Sequence, residues 1–230
     1  MTGALAVATT VATVALAFAV GAGAEMIGLY RNPMETTSQR SDLIKLSGAN
    51  CERGGSEHAF RVVIGKKTKE CAYRTPVIGR DLQVAATMRL LSNTPKSLQS
   101  KAFLALDLRA GGGARYQLAV YPLQRKTQLR KILPGGKVEY LQIEKNVPTV
   151  KGLDKANKLQ LSAVNITSGP DKGGCLILAS VGPEQVADVT DRAAGELQGR
   201  ASGLAVGAAK NAKGIIASAD DLFVRGPNPF

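Results

Sequence analysis

The 230-residue sequence has no Trp, a single His, three Cys, and only five Tyr and five Phe. The lack of Trp removes the ring most used for stacking on sugars and bases. A hydrolase triad needs a base within hydrogen-bond reach of a nucleophile. Nothing in the sequence beside His58 supplies one, so His58 reads as a loop residue. Three cysteines are too few for a disulfide scaffold, and their spacing is not that of a metal site. No Gly-Lys-Ser follows Gly111-Gly112-Gly113, which is therefore read as a turn and not a phosphate cradle. Acidic side chains are also scarce: 18 Asp and Glu face 30 Lys and Arg, a net charge of +12. Such a surface attracts anionic polymer, anionic membrane or nucleic acid. Charge alone specifies no particular nucleic-acid partner.

Apolar residues make up 44% of the chain, and they fall into two kinds of segment. Residues 3–24, GALAVATTVATVALAFAVGAGA, carry no charge and are long enough to form a membrane-crossing helix. They end in Ala22-Gly23-Ala24, a small-x-small pattern cut by signal peptidases. The absence of a preceding Lys or Arg, with Arg31, Arg40 and Lys45 following, runs against the usual charge bias of exported proteins. We read 1–24 as a signal peptide or anchor and 25–58 as a linker and the start of the domain. Residues 59–227 are the domain itself, placed outside the cytoplasm. Cys51 and Cys71 fit that compartment: a bridge between them closes a loop of about twenty residues and stabilises by about 3 kcal/mol on chain-entropy grounds. Cys175, inside Gly174-Cys175-Leu176-Ile177-Leu178-Ala179, reads as a buried core thiol.

The remaining apolar segments are short, alternate with polar residues, and are separated by turn residues, as in an all-β domain. Strands are expected near 43–46, 60–64, 71–77, 81–91, 101–109, 114–121, 122–133 and 138–143. Further strands are expected near 157–166, 174–181, 184–189, 201–207 and 214–225. The glycines at 111–113 make 101–121 a hairpin, because glycine supplies the positive φ of a tight turn. Pro76 marks a strand end or edge. The only helical stretch expected after the leader is around 191–197. So many short strands in one chain of this length pack as two facing sheets, not as two domains.

Several pieces in the second half resemble, in order, the concanavalin A-like (laminin G-like) jelly-roll family. They lie near the bacterial domains related to 3-keto-disaccharide hydrolases. They are Leu106-Asp107-Leu108-Arg109-Ala110-Gly111-Gly112, Tyr116-Gln117-Leu118-Ala119-Val120-Tyr121, Leu129-Arg130-Lys131, Asn157-Lys158-Leu159-Gln160-Leu161, the 178–191 and 203–207 segments, and Ala219-Asp220-Asp221-Leu222-Phe223-Val224. The match covers 80–226. Val181-Gly182 replaces the family's Asn-Gly turn. The resemblance implies an antiparallel two-sheet β-sandwich, preceded here by the hydrophobic N-terminal helix. Its members span lectins, adhesion modules and enzymes, so fold leaves function open.

Glycosidases of this fold carry three acids on one strand, E-x-D-x-(x)-E, so that residues two or four apart face one sugar. This sequence has no such run; Asp107, Glu139 and Glu144 stand singly. Asp220 and Asp221 are adjacent, and adjacent strand residues point to opposite faces. With Asp191 they form the one candidate for calcium, which some relatives bind and which needs six or more oxygens. No other cofactor is expected. The basic strand through Arg125, Lys126, Arg130 and Lys131 has two readings. One is a binding face, with Lys126 and Arg130 on one side and Arg125 and Lys131 on the other. The other is a charged edge strand that discourages sheet-to-sheet aggregation. Tyr116, Tyr121 and Tyr140 supply apolar contacts for a sugar in the binding reading. The expectation is a non-catalytic exported module contacting a glycan or an anionic envelope partner, with a glycan hydrolase as the alternative.

Overall fold

The computed structural model describes residues 26–48, 51–56, 59–65 and 68–227. The expected leader helix at 3–24, His58, Lys66 and Lys67 lie outside the described residues. Among the described residues fifteen strands carry the fold. The first eight are β1 (Met26–Asn32), β2 (Ile44–Ser47), β3 (Cys51–Ser56), β4 (Ala59–Ile64), β5 (Glu70–Ile78), β6 (Leu82–Leu90), β7 (Ala102–Gly111) and β8 (Ala114–Tyr121). The rest are β9 (Lys126–Ile132), β10 (Val138–Glu144), β11 (Asn157–Asn165), β12 (Cys175–Val181), β13 (Glu184–Asp191), β14 (Ala201–Ala208) and β15 (Ile216–Pro227).

They form two antiparallel sheets. The front sheet has seven strands in the order β10-β9-β8-β7-β14-β5-β2. The back sheet has eight, ordered β13-β12-β11-β6-β15-β4-β3, with β1 also paired to β15. Among the described residues no helix is long and apolar enough to cross a membrane.

The two-residue period decides which side chains enter the core. On β6, Leu82, Val84, Ala86 and Met88 are buried between the sheets, while Ala85 and Arg89 are partly exposed on the other side. On β7 and β8, Leu104, Leu106, Leu108, Tyr116, Leu118 and Val120 fill the same layer. Phe60 of β4 meets Tyr73 of β5 edge to face across it, with ring centroids 4.9 Å apart. Hairpin β7–β8 closes through Gly112 and Gly113, both at positive φ. The Cys51–Cys71 disulfide joins β3 of the back sheet to β5 of the front sheet, and Cys175 is free and buried.

Several local features depart from the sequence reading, among them a short helix at Lys96–Gln99. The sandwich begins earlier than the first strand expected at 43–46: β1 pairs with β15 from Met26 to Asn32. A short helix, Thr37–Ser41, follows, held by a reciprocal cap between Thr36 and Gln39. The segment expected as one strand over 122–133 starts instead with a 3-10 turn, Pro122–Gln124. Proline at its first position presets φ for a turn and provides no N–H for a strand ladder. Pro76 lies past Arg74, the last β5 residue paired to β2, where the missing donor costs nothing on that side.

Candidate functional site

The outer face of the front sheet differs from an ordinary solvated face. Its centre is a row of alanines in cross-strand register: Ala119 opposite Ala105, Ala105 opposite Ala205, Ala205 opposite Ala72. All four are buried although they point away from the main core, so larger neighbours fold over them. On one side of the row stand Phe103 and Tyr121, with centroids 5.7 Å apart. On the other stand Gln117 and Asp107, directly opposite each other, and Arg130, opposite Gln117.

Strand β14 makes the close packing possible. Its outward positions are Gly203, Ala205 and Gly207. A Cβ at Gly203 would lie 2.0 Å from the Tyr73 carbonyl oxygen, and one at Gly207 2.6 Å from that of Lys69. With β14 bare, Glu70 of β5 reaches across it. Gln117 Nε2 donates to Glu70 Oε2 at 3.1 Å and to Asp107 Oδ1 at 2.8 Å. Arg115 donates to Glu70 and lies 3.4 Å from Asp107 Oδ1. Strands β5 and β8 are three positions apart, about 14 Å in a flat sheet. That is farther than two medium-length side chains and a hydrogen bond can bridge, so the sheet curves toward this side and the face is concave.

Burial pushes the Asp107 carboxyl up to about 6; Arg115 pulls it down and Glu70 pushes it further up. Two acids that look solitary in the sequence therefore share one amide and one guanidinium. Four buried polar atoms of this face have no hydrogen-bond partner among the described residues: Asp107 Oδ2, Arg115 Nε, Gln128 Oε1 and Arg130 Nε. Buried polar atoms are nearly always paired, and four unpaired ones on one surface make this face the candidate site.

The residues singled out in the basic segment divide between three environments. Lys126 and Arg130 lie on the concave face, Lys126 over the Tyr121 ring at 4.2 Å and Arg130 over Phe103 at 4.7 Å. Tyr121 joins them there. Lys131 points the other way, into the sandwich: it is 1% exposed and bonded to Asp191 at 2.9 Å and Glu196 at 2.7 Å. Tyr116 is buried beside it and donates to Asp191 Oδ2 at 2.6 Å. Lys131 and Tyr116 are thus corrected from surface contacts to an inter-sheet polar joint, because a basic residue on the core side of a strand needs an internal counter-charge. Arg125 is exposed in the left-handed position that ends the 3-10 turn, outside β9. The edge-strand reading also fails: β9 is flanked by β8 and β10, and β10 is the edge. Tyr140, on that edge, is 55% exposed opposite Arg130.

The calcium candidate does not fit. Asp191 is engaged by Lys131 and Tyr116, and its strand lies four positions from β15 in the back sheet. Asp220 pairs with Arg89 at 2.6 Å. Asp221 sits at φ +49°, where the β15 register to β6 shifts. Among the described residues no group of His, Cys, Asp and Glu is placed to hold a metal. A second depression, on the outer face of the back sheet, is lined by Thr87, Lys158, Gln160, Ser180 and Asp221 and carries no aromatic side chain.

No family model matches the chain, and no curated protein matches it. Solved structures do share its fold. A protein of unknown function with galectin-like fold from Bacillus subtilis superposes with a TM-score of 0.60 at 14% identity, over 89% of this chain and 97% of that one. Carbohydrate binding module CBM66 from Bacillus subtilis gives 0.56 at 10% identity, over 80% and 96%. The carbohydrate recognition domain of Emp46p, in its potassium-bound form, gives 0.55 at 13% identity, over 86% and 95%. These likenesses show the fold alone: an antiparallel two-sheet β-sandwich with the galectin-like fold.

Proposed function

We propose that this chain is a non-catalytic glycan-binding module that works outside the cytoplasm and takes its ligand on the concave face of the front sheet. One observation carries the reading: Asp107 Oδ2, Gln128 Oε1 and Arg130 Nε are buried on that face without partners. Saccharide hydroxyls both donate and accept, and so suit such a mixed set. Tyr140, 55% exposed, supplies apolar surface beside it, the usual complement to polar anchors in a sugar site. The names of the fold neighbours, a carbohydrate binding module and a carbohydrate recognition domain, agree with this choice of ligand class. The disulfide favours an oxidising compartment.

A glycan array probed with the purified protein tests the reading. Binding is expected to fall about tenfold or more on Gln117→Ala and Tyr140→Ala, each removing a group from the face. Retained binding in both variants would place the ligand elsewhere. Intact-mass measurement of the protein recovered from its host tests export: loss of residues 1–24 is expected, unless the segment is kept as an anchor.

The convergence of Asp107 and Glu70 favours one second reading, a glycan hydrolase related to the 3-keto-disaccharide enzymes. A raised carboxyl beside a second carboxylate is the arrangement of an acid–base pair. Incubation with glycans and 3-keto-glycosides separates the two readings. Turnover lost in Glu70→Gln and in Asp107→Asn would establish the hydrolase and end the non-catalytic one.

A further inference from the structure

The charges on the concave face do not balance, and the imbalance is localised. Arg115 is matched by Glu70 and Asp107. Lys126 and Arg130 have no carboxylate within ion-pair distance among the described residues. Arg130 nonetheless is 7% exposed, spends one nitrogen on Gln117, and leaves its Nε buried and unpaired. Lys126 loses basicity through burial first, and then through the like charges of Lys145 and Arg130. Buried or half-buried cations are ordinarily paired, because desolvation of a charge is costly.

The two cations start four residues apart on β9 yet lean over neighbouring rings, Tyr121 and Phe103, whose centroids are 5.7 Å apart. Between them on the strand, and on the same face, stands Gln128 with its unpartnered oxygen. The half of the face nearest β10 therefore offers two cations without an ion-pair partner and one acceptor, beside the open ring of Tyr140. The half nearest β5 offers the acceptor Asp107 Oδ2. A bare sulfate would answer the cations but has no donors for the acceptors, and a bare hydrogen phosphate brings at most two. A neutral sugar would answer the acceptors and leave the cations unpaired.

We infer that the ligand is an acidic saccharide, its anionic group held by Lys126 and Arg130 and its hydroxyls donating to Gln128 and Asp107. This rests on the concave face being the glycan site, and it adds the ligand class and the anion subsite. The anion is either a uronate carboxylate or a sulfate ester; both present two or three oxygens to a guanidinium and an ammonium.

The test is calorimetric titration at 150 mM salt with three short probes: tri-galacturonate, a sulfated galacto-trisaccharide and maltotriose. Short probes avoid the general attraction of a protein with charge +12 for polyanions. One or both acidic probes are expected to bind at least tenfold more tightly than maltotriose, and which one binds identifies the anion. Lys126→Gln and Arg130→Gln are each expected to weaken the acidic probe about tenfold, while Arg125→Gln, exposed outside the face, leaves it unchanged. Lys126 is only half-buried, so its variant keeps the test valid should Arg130→Gln unfold.

Maltotriose binding as tightly as the acidic probes, with Gln117→Ala abolishing both, would overturn the acidic ligand and leave the glycan site standing. Equal weakening by Arg125→Gln and Lys126→Gln would show diffuse charge attraction and overturn the subsite. No binding of any probe at millimolar concentration would overturn the inference and count against the glycan site as well.

Discussion

Asp107 shows how far one side chain's chemistry depends on its neighbours. In the sequence it is an isolated acid in Leu106-Asp107-Leu108; in the fold it is 1% exposed, with Glu70 and Arg115 around it. Its carboxyl, pushed up to about 6 by burial, holds its proton more tightly folded than unfolded. The stability this adds is complete below the ordinary aspartate range and is lost as pH rises through about 6. The difference from an ordinary aspartate corresponds to about 3 kcal/mol. Asp107→Asn removes the titration. The variant is therefore expected to gain stability relative to the parent by an amount of that order between pH 4 and pH 7, read from urea unfolding at each pH. An offset that stays constant over the range would contradict the assignment. At this scale the sequence indicates sidedness well: alternation along β9 already separates Lys126 and Arg130 from Lys131. It does not indicate which side is the core, because both faces of this sheet bury apolar residues.

Between elements, the joint of β9 and β13 matters most. Lys131, from the front sheet, meets Asp191, from the back sheet, with Tyr116 donating to the same carboxylate. Burial would push Asp191 up, but the hydrogen bonds from Tyr116, Lys131 and the Ala193 amide outweigh it and hold the carboxyl below its usual range. Breaking such a pair on one side leaves a buried charge alone, at a cost of about 3–5 kcal/mol. Lys131→Met is expected to lose about that much in urea unfolding, and adding Asp191→Asn should recover a good part of it. Additive losses in the double variant would mean that the two groups do not depend on each other. This joint could not be read from spacing. Lys131 and Asp191 are sixty residues apart along the chain, and their contact exists only because two different sheets face each other. Failure of the edge-strand reading has the same origin, since a strand's place in its sheet is set by which partners pair with it.

For the whole molecule, the Cys51–Cys71 bridge is a clamp between layers, since β3 and β5 belong to opposite sheets. Replacing both cysteines by serine should lower stability by about 2–4 kcal/mol. The strand content in the far-ultraviolet should persist, because the core between the sheets is otherwise intact. Reductant should destabilise the parent and leave the double variant unchanged. Equal stability of the two proteins under oxidising conditions would remove the clamp from the account.

What the sequence determined by itself was local. Turns at glycine and proline, the period of two along each strand, and hence most strand positions follow from backbone preferences and side-chain alternation over a few residues. The tertiary structure alone decided where those strands lie, and with them the site. Glu70 reaches Asp107, Arg115 and Gln117 across β14 because that strand presents only glycine and alanine on a sheet curved toward them. Pairing between strands about a hundred residues apart, such as β7 with β14, reflects the packing of the whole chain. No window of sequence contains it.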